Sequence, residues 1–323
     1  MHKLSLLILF LVAMALFVPY EQASAALEGK DVLYRTEQAS DGPSRTLVNI
    51  GQVSLWIDSD GQSAHDPDNN SGLFYPRGSN PTTAVIYIDG LVWGGQVNDG
   101  QDPVIRVGGQ TYSVGTQPGR IVSPGVAENI SDPGVNRVWR IRRDWQTADL
   151  TLDAAEVFRV SAGAVDAGMI TQLRDQYEFD WINWPADRGA PFYDADGDDI
   201  YNPQFNSDGS PVLYPDGDEP GYAGGDQVVW IVTNDLSDAR TSALYGSPPI
   251  GMEMALTLWA YRRSDALGNI IFKEYSVVYK GTASTPANAT IDSLFFCQFS
   301  DPDLGSYGDD FVASDTALSL GYA

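Results

Sequence analysis

The stretch from Asp194 to Asp226 most constrains how this chain can fold. It holds nine acidic residues and no Lys or Arg. Gly and Pro recur throughout it, so it can form neither a regular helix nor a central strand. A run of like charges usually repels itself and stays solvated. The first acids alternate, however, as Asp194, Asp196 and Asp198, and alternating Asp residues on a tight loop can surround Ca²⁺ with oxygen ligands.

The spacing matches the D-x-D-x-D start of EF-hand-like and dockerin-like loops. Asp194, Asp196 and Asp198 would each supply a carboxylate oxygen. Ile200, at the seventh position, would supply its backbone carbonyl, and Asn202, at the ninth, would bind through its side chain or a water. The sequence therefore predicts a calcium site in this loop. A solvated acidic turn without metal is the alternative.

Two positions depart from the EF-hand pattern. Glycine lies at the fourth position, Gly197, whereas the sixth is Asp199. The twelfth is Phe205, so no bidentate Glu closes the loop. The missing ligands must come from elsewhere in the chain, and the candidates are Asp216, Asp218, Glu219 and Asp226.

Two further acidic clusters carry the same chemistry. The second consists of Asp301, Asp303, Asp309, Asp310 and Asp315, and it directly follows a predicted strand. Carboxylates this close repel one another unless a cation or an Arg lies among them, so we expect a second calcium site there. A third loop, with Asp58, Asp60, Asp66 and Asp68, is a weaker version of the pattern.

Most of the remaining chain has the pattern of β-strands. Gln227–Asp235 is a nearly continuous apolar run, which is typical of a strand buried on both faces. Ile250–Tyr261, Ile270–Lys280 and Ile291–Phe299 follow as strands, and we expect them to form an antiparallel meander that covers one face of a sandwich. Asp89-Gly90, between two apolar runs, indicates a type I′ hairpin.

Helical spacing is confined to one region that follows a basic strand. Thr151 can cap a first short helix, and a second helix, from about Val165, places Met169, Leu173 and Tyr177 on one face. Pro185 prevents its continuation. The preceding strand concentrates Arg140, Arg142 and Arg143, which would either bind an anionic group or neutralise the acidic loops.

These patterns predict a mostly β fold: antiparallel, β-sandwich-like sheets with one short helical segment and Asp-rich loops. We divide the chain into a signal peptide (residues 1–25), an N-terminal β region (26–150), a helical and aromatic connector (151–185) and the Asp-rich loop with the β meander (186–323). The last residues begin a strand and stop, so we expect a longer protein truncated at this end.

The N-terminus has the pattern of a secretory signal. His2 and Lys3 precede an apolar run from Leu4 to Val18, and Ala23-Ser24-Ala25 forms a cleavage site. The run is about 15 residues, short of the roughly 20 that span a bilayer, so an uncleaved anchor is the less favoured alternative. We expect a secreted or cell-surface protein with no membrane span after cleavage.

Charge and cysteine content limit the partners. Lys and Arg number 19 against 43 acids, a net charge of −24, which repels nucleic acids and anionic membranes and suits divalent cations. The single cysteine, Cys297, cannot form an internal disulfide. It lies in an alternating strand, and we expect a buried structural thiol.

Catalysis finds little support in the sequence. A nucleophilic triad would have to use His65, since the other histidine lies in the signal. A carboxylate pair for glycoside hydrolysis is compatible with so many acids, but no particular pair is indicated. Four tryptophans could stack on sugars, although core packing is the favoured role for them: Trp93, Trp181, Trp184 and Trp259.

Several stretches resemble one bacterial family: SGLFYPRG, IDGLVWGG, DWINWPADRGAPFYDADGDDIYNP, QVVWIVTNDLSD, LYGSPPIGMEMALTLWAY and IDSLFFCQFSDPDLGSYGDDFVASDTALSLGY. They span most of Ser71–Tyr322. The family comprises large secreted proteins, mostly of unassigned activity, that end in a C-terminal sorting domain for type IX secretion. The resemblance implies export, a β-rich fold, calcium in the Asp loop and a sorting domain beyond Ala323. Family members usually have Gly where Asp199 stands.

Two functions follow as hypotheses. The first is a non-catalytic secreted or cell-surface β-module, stabilised by Ca²⁺ and used in adhesion, structure or display. The second is a carbohydrate-binding or carbohydrate-degrading exoprotein whose active domain lies beyond residue 323. The expected partners are divalent cations and an extracellular glycan or protein.

Overall fold

The computed structural model describes residues 43–78, 83–132, 134–222, 224–305 and 308–323. The predicted signal peptide lies outside these residues. The strands are β1 (Arg45–Val48), β2 (Ser54–Asp58), β3 (Leu73–Phe74), β4 (Ala84–Asn98), β5 (Ile105–Gly109), β6 (Gln117–Pro118), β7 (Ile121–Ser123), β8 (Val126–Ala127), β9 (Trp139–Arg142), β10 (Phe192–Tyr193), β11 (Glu219–Pro220), β12 (Gln227–Asn234), β13 (Met252–Ala260), β14 (Ile271–Tyr279), β15 (Thr290–Pro302), β16 (Ala313–Asp315) and β17 (Leu320–Tyr322).

The α-helices are α1 (Thr151–Val157), α2 (Ala167–Ile182) and α3 (Asp238–Tyr245), and three short 3₁₀ turns cover Ala162–Ala164, Ala186–Arg188 and Ala266–Asn269. The predicted helical region corresponds to α1 and α2. Asp166 caps α2 by accepting a hydrogen bond from the Met169 amide at 2.9 Å. The helix ends at Ile182, shortly before Pro185.

Two antiparallel sheets pack face to face as a sandwich. The first has the order β1-β2-β3-β4-β15, with β5 also paired to β4, and the second has the order β14-β13-β12-β6, with β9 also paired to β12. Leu55 and Ile57 of the first sheet share one buried cluster with Val229 and Ile231 of the second. The predicted fold class, mostly β with antiparallel sandwich-like sheets, is confirmed.

Helices α1 and α2 form a third layer on the outer face of the second sheet. Trp230 and Val232 of β12 belong to a cluster with Leu173 and Trp181 of α2. Successive residues of a strand point to opposite faces, so β12 buries one set of side chains between the sheets and the other set under the helices. Every residue of β12 is buried, which confirms the prediction of a strand buried on both faces.

The predicted meander is wrong in its third strand. β13 and β14 pair along their whole lengths, but β15 crosses to the first sheet and pairs with β4. Most side chains of β15 are exposed on both faces. Cys297 is among them, so it is not the buried thiol that we expected.

The hairpin predicted at Asp89-Gly90 is also wrong, because β4 continues through both residues. The glycine is required by a close approach. A Cβ atom on Gly90 would lie 2.6 Å from the backbone oxygen of Gln110. Asp89 is buried and accepts hydrogen bonds from the Lys273 ammonium at 2.7 and 2.8 Å, so it joins the two sheets.

Candidate metal centre

A two-residue ladder brings the ends of the acidic loop together. β10 and β11 are antiparallel, with Tyr193 opposite Glu219. Asp194 directly follows the first of these strands and Asp218 directly precedes the second. The pairing therefore places two carboxylates side by side although they are far apart in the sequence.

Three carboxylates converge at this point. Asp194, Asp196 and Asp218 each offer an oxygen, and these atoms lie within 4.8 Å of one another. Among the residues that the structure describes, this is the one group of three or more acidic, His or Cys side chains gathered so closely. The three acids could hold a metal ion, because hard divalent cations take carboxylate oxygens as ligands.

Asp218 is the structural centre of the group. Its side chain is buried, and it accepts hydrogen bonds from the amides of Ala195 at 3.0 Å and Asn202 at 2.9 Å. It was one of four candidates for a ligand outside the alternating run. Of the others, Glu219 pairs with Arg143 at 2.7 Å, Asp226 accepts from the Arg262 amide at 2.8 Å, and Asp216 is exposed.

The loop folds around its own carboxylates. Asp194 accepts hydrogen bonds from the amides of Gly197 at 2.7 Å and Asp199 at 2.9 Å. Asp199 has a φ of +61°, a left-handed conformation that Asp tolerates better than most residues. The sixth position, where EF-hands use Gly for a sharp turn, is thus occupied by an acid that makes a left-handed turn.

Three predicted ligands lie near the group without joining it. The carboxylate of Asp198 accepts from the Ile200 amide at 2.8 Å and from the Asn202 side chain at 3.3 Å. Ile200 is exposed, and the Asn202 carbonyl oxygen accepts from Gln204. Their roles as ligands, which require the side chains and the Ile200 carbonyl to turn inward, stay predictions.

The pKa values of two acids in the group shift in opposite directions. Partial desolvation, followed by the charges of Asp198, Asp218 and Asp194, raises the pKa of Asp196. Backbone amides that donate to Asp194, first that of Asp199, lower the pKa of that carboxyl. A bound cation would relieve the repulsion at Asp196, so metal and proton compete at this side chain.

The second acidic cluster is more dispersed. Asp310 accepts from the Leu304 amide at 2.9 Å, and Asp315 accepts from the amides of Ala317 and Leu318. Asp309 is exposed. Asp301 accepts a hydrogen bond from the Tyr112 hydroxyl, which raises the pKa of that tyrosine. A calcium site that uses Asp301, Asp303, Asp309, Asp310 and Asp315 stays a prediction.

The third acidic loop is held by arginines. Asp58 pairs with Arg45 at 2.9 Å and Asp60 with Arg240 at 3.1 Å. Burial raises the pKa of both carboxyls. At Asp58 the charge of its neighbour Asp60 raises the pKa further. One oxygen of each carboxyl is buried without a hydrogen-bond partner. Arg45 and Arg240 therefore offset only part of the cost of burying these two acids.

The basic strand neutralises acids, as one of its two interpretations predicted. Arg140 is fully buried and donates to Asp153 at 2.6 Å, and Arg142 donates to Asp144 at 2.5 Å.

Of the four tryptophans, Trp93, Trp181 and Trp184 are core residues. Trp259 is half-buried and stacks on Phe272, with ring centroids 5.3 Å apart.

Comparison with known proteins gives no relatives: no family model, no curated protein and no solved structure matches this chain. In the part of the chain that the structure describes, no helix is long and apolar enough to cross a membrane.

Proposed function

We propose that the protein is a secreted or cell-surface β-module, non-catalytic, whose acidic loop is fixed by Ca²⁺, and that it serves in adhesion, structure or display. The observation that carries the proposal is the convergence of Asp194, Asp196 and Asp218 from both ends of the loop. An ion bound there would tie β10 to β11 and hold the loop on the sandwich.

Calcium is the cation that suits these residues best. The donors are carboxylate oxygens on an irregular loop. Ca²⁺ accepts six to eight oxygen ligands in flexible geometry, whereas Mg²⁺ demands a near-ideal octahedron and keeps its waters. Export and a type IX route are supported by the signal sequence pattern and by the family resemblance.

Calcium is expected to raise the melting temperature of the protein. A ligand that binds only the folded state at 100 times its Kd adds about 2.7 kcal/mol to the free energy of unfolding, which for a chain of this size is a shift of a few degrees. Thermal unfolding, followed by circular dichroism in Ca²⁺, in Mg²⁺ and in chelator, measures the shift. A melting temperature that does not respond to Ca²⁺ would refute the proposal.

Two variants test whether the calcium-dependent shift in melting temperature arises at the acidic loop. Asp196→Asn removes a charge from the group of three, so it should abolish most of the calcium shift. Asp208→Asn is the matched control, because Asp208 lies in the same loop but its carboxylate only accepts from Ser210, at 3.0 Å from the amide and 2.6 Å from the hydroxyl. Equal calcium shifts in the two variants would place the ion elsewhere.

A further inference from the structure

A cleft opens on the outer face of the first sheet, away from the acidic loop. Its volume is about 680 Å³, within the range of sites that bind small molecules. Aromatic side chains of three strands contribute to its lining: Trp56 of β2, Phe74 of β3 and Tyr87 of β4. Trp56 and Phe74 are largely buried, so they form an apolar floor, and the half-buried Tyr87 offers more of its ring to the cleft.

Polar side chains that donate hydrogen bonds and others that accept them surround this apolar floor. Asp66, Asp68 and Asn70 line one side, Arg159 another, and Asp303 a third. Arg159 forms a bidentate pair with Asp68, with one of the contacts at 3.0 Å. Asp66 is fixed by the amides of Asp68 and Asn70, both at 2.8 Å. The cleft therefore presents hydrogen-bond donors and acceptors around an aromatic centre.

The backbone is irregular where it shapes the cleft. On β15, Asp301 lies opposite Ile88 and the next residue, Pro302, lies opposite Ile86, so Tyr87 is the extra residue of a bulge. Bulges re-aim side chains and are frequent beside functional sites. Arg159 has a φ of +57°, an unusual conformation for a long side chain that directs it towards Asp68.

Asp303 is held rigidly on the far side of the cleft. Its amide donates to the Val85 carbonyl at 2.9 Å, and the Gly305 amide donates to the Ala84 carbonyl at 3.1 Å, so the segment continues the pairing with β4. Burial, followed by the charges of Asp301 and Asp310, raises the pKa of Asp303. Asp303 thus lines the cleft in a negative environment.

The charges select the class of ligand. Three acids and one arginine line the cleft, so an anion would be repelled. A cation would be attracted by the acids, but it could not accept hydrogen bonds from Arg159 or Asn70. A hydroxyl group both donates and accepts hydrogen bonds, so a polyol can use Arg159 and Asn70 as donors and the Asp residues as acceptors. The apolar faces of sugar rings pack on aromatic side chains such as Tyr87.

We propose that this cleft binds a neutral oligosaccharide, with Tyr87 packing against a sugar ring and Asp66, Asp303 and Arg159 bonding its hydroxyls. This site lies on the first sheet and does not use the acidic loop. Carbohydrate binding in the cleft and calcium binding in the acidic loop can therefore be tested independently.

A glycan array tests the proposal with the purified protein, probed with neutral glycans, with glycans that end in sialic or uronic acids and with hexalysine. We expect binding among the neutral glycans, and isothermal titration with the best oligosaccharide then gives its Kd. Failure of every neutral glycan to bind would overturn the proposal, and preferential binding of hexalysine or of the acidic glycans would overturn it too.

Variants place the binding in the cleft. Tyr87→Ala and Asp303→Asn should each weaken binding about tenfold or more, which corresponds to about 1.4 kcal/mol. The matched controls are Tyr245→Ala, at the exposed end of α3, and Asp309→Asn, an exposed acid in the segment that follows Asp303. Asp303→Asn is nearly isosteric, so it keeps the test valid if Tyr87→Ala does not fold. Unchanged affinity in Asp303→Asn and in a folded Tyr87→Ala would overturn the proposal.

Discussion

Replacing Asp153 with Ala is expected to lower the free energy of unfolding by about 3–5 kcal/mol, the usual cost of removing one partner from a buried ion pair. Asp153 of α1 accepts from Arg140 of β9 at 2.6 Å, from the Tyr177 hydroxyl of α2 at 2.6 Å and from Asn49 at 3.0 Å. Burial opposes ionisation, but the charge of Arg140 and these hydrogen bonds hold the pKa of Asp153 below its usual value. The variant leaves the fully buried Arg140 without its carboxylate.

Urea unfolding followed by circular dichroism measures the loss. Asp187→Ala is the control, since Asp187 is exposed beyond the end of α2 and a change there should stay within about 0.5 kcal/mol. The double variant Arg140→Met with Asp153→Leu should recover part of the stability, because apolar pairs of similar volume often replace a buried ion pair without loss. Recovery stays incomplete because Tyr177 and Asn49 lose an acceptor. A loss below about 1 kcal/mol in Asp153→Ala would show that water reaches Arg140.

The sequence was sufficient to predict the elements whose signal is local. The alternation in β13, the strand expected at β14, the continuous apolar run of β12 and the helical spacing around Leu173 all correspond to elements of the structure. Helix α3 was missed, although Ser237 precedes it and Gly246 follows it with a φ of +69°. That pair is a usual start and stop signal for a helix, and the segment was too short and polar for its periodicity to be recognised.

The errors share a non-local cause. Asp89-Gly90 has the composition of a turn, but the glycine serves the approach of Gln110, which is distant in the sequence. The periodicity of β15 predicts a strand and does not identify its partner, so its pairing with β4 could not be predicted from spacing. Strand identity is local information, whereas sheet membership depends on which loops cross between the layers.

The candidate sites also combine residues that local spacing indicates with residues that only long-range strand pairing brings together. The spacing of Asp194 and Asp196 indicated two members of the metal group, and Asp218 was one of four candidates for a third. Selecting it required the β10–β11 ladder, whose strands are only two residues long and carry no periodicity. The cleft was missed because its aromatic floor comes from three strands and because Tyr87 enters it through a bulge, which no sequence pattern revealed.

The contribution of one buried acid, Asp235, to the stability of the sandwich is expected to fall as the pH rises from about 4 to about 6. Asp235, at the end of β12, accepts hydrogen bonds from the amides of Ile250, Gly251 and Met252 at 3.1, 2.8 and 2.7 Å. Burial raises the pKa of Asp235 to about 6, although the hydrogen bonds from the three amides act to lower it. Between the ordinary pKa of 3.8 and that value, the folded protein keeps a proton that the unfolded chain releases.

Unfolding therefore releases a proton in this interval, and the contribution of Asp235 is fully present below the lower pKa and is lost as the pH passes the higher one. At about 1.36 kcal/mol per pKa unit, the loss is about 3 kcal/mol by pH 7. Asp235→Asn does not titrate, so subtracting its unfolding free energy from that of the wild type at each pH isolates this acid from the other carboxyls. The difference should fall by about 2.4 kcal/mol between pH 4 and pH 7, since part of the loss occurs below pH 4. If it rises instead, the three amides outweigh burial, and Asp235 is an ionised carboxylate that holds the start of β13 in place.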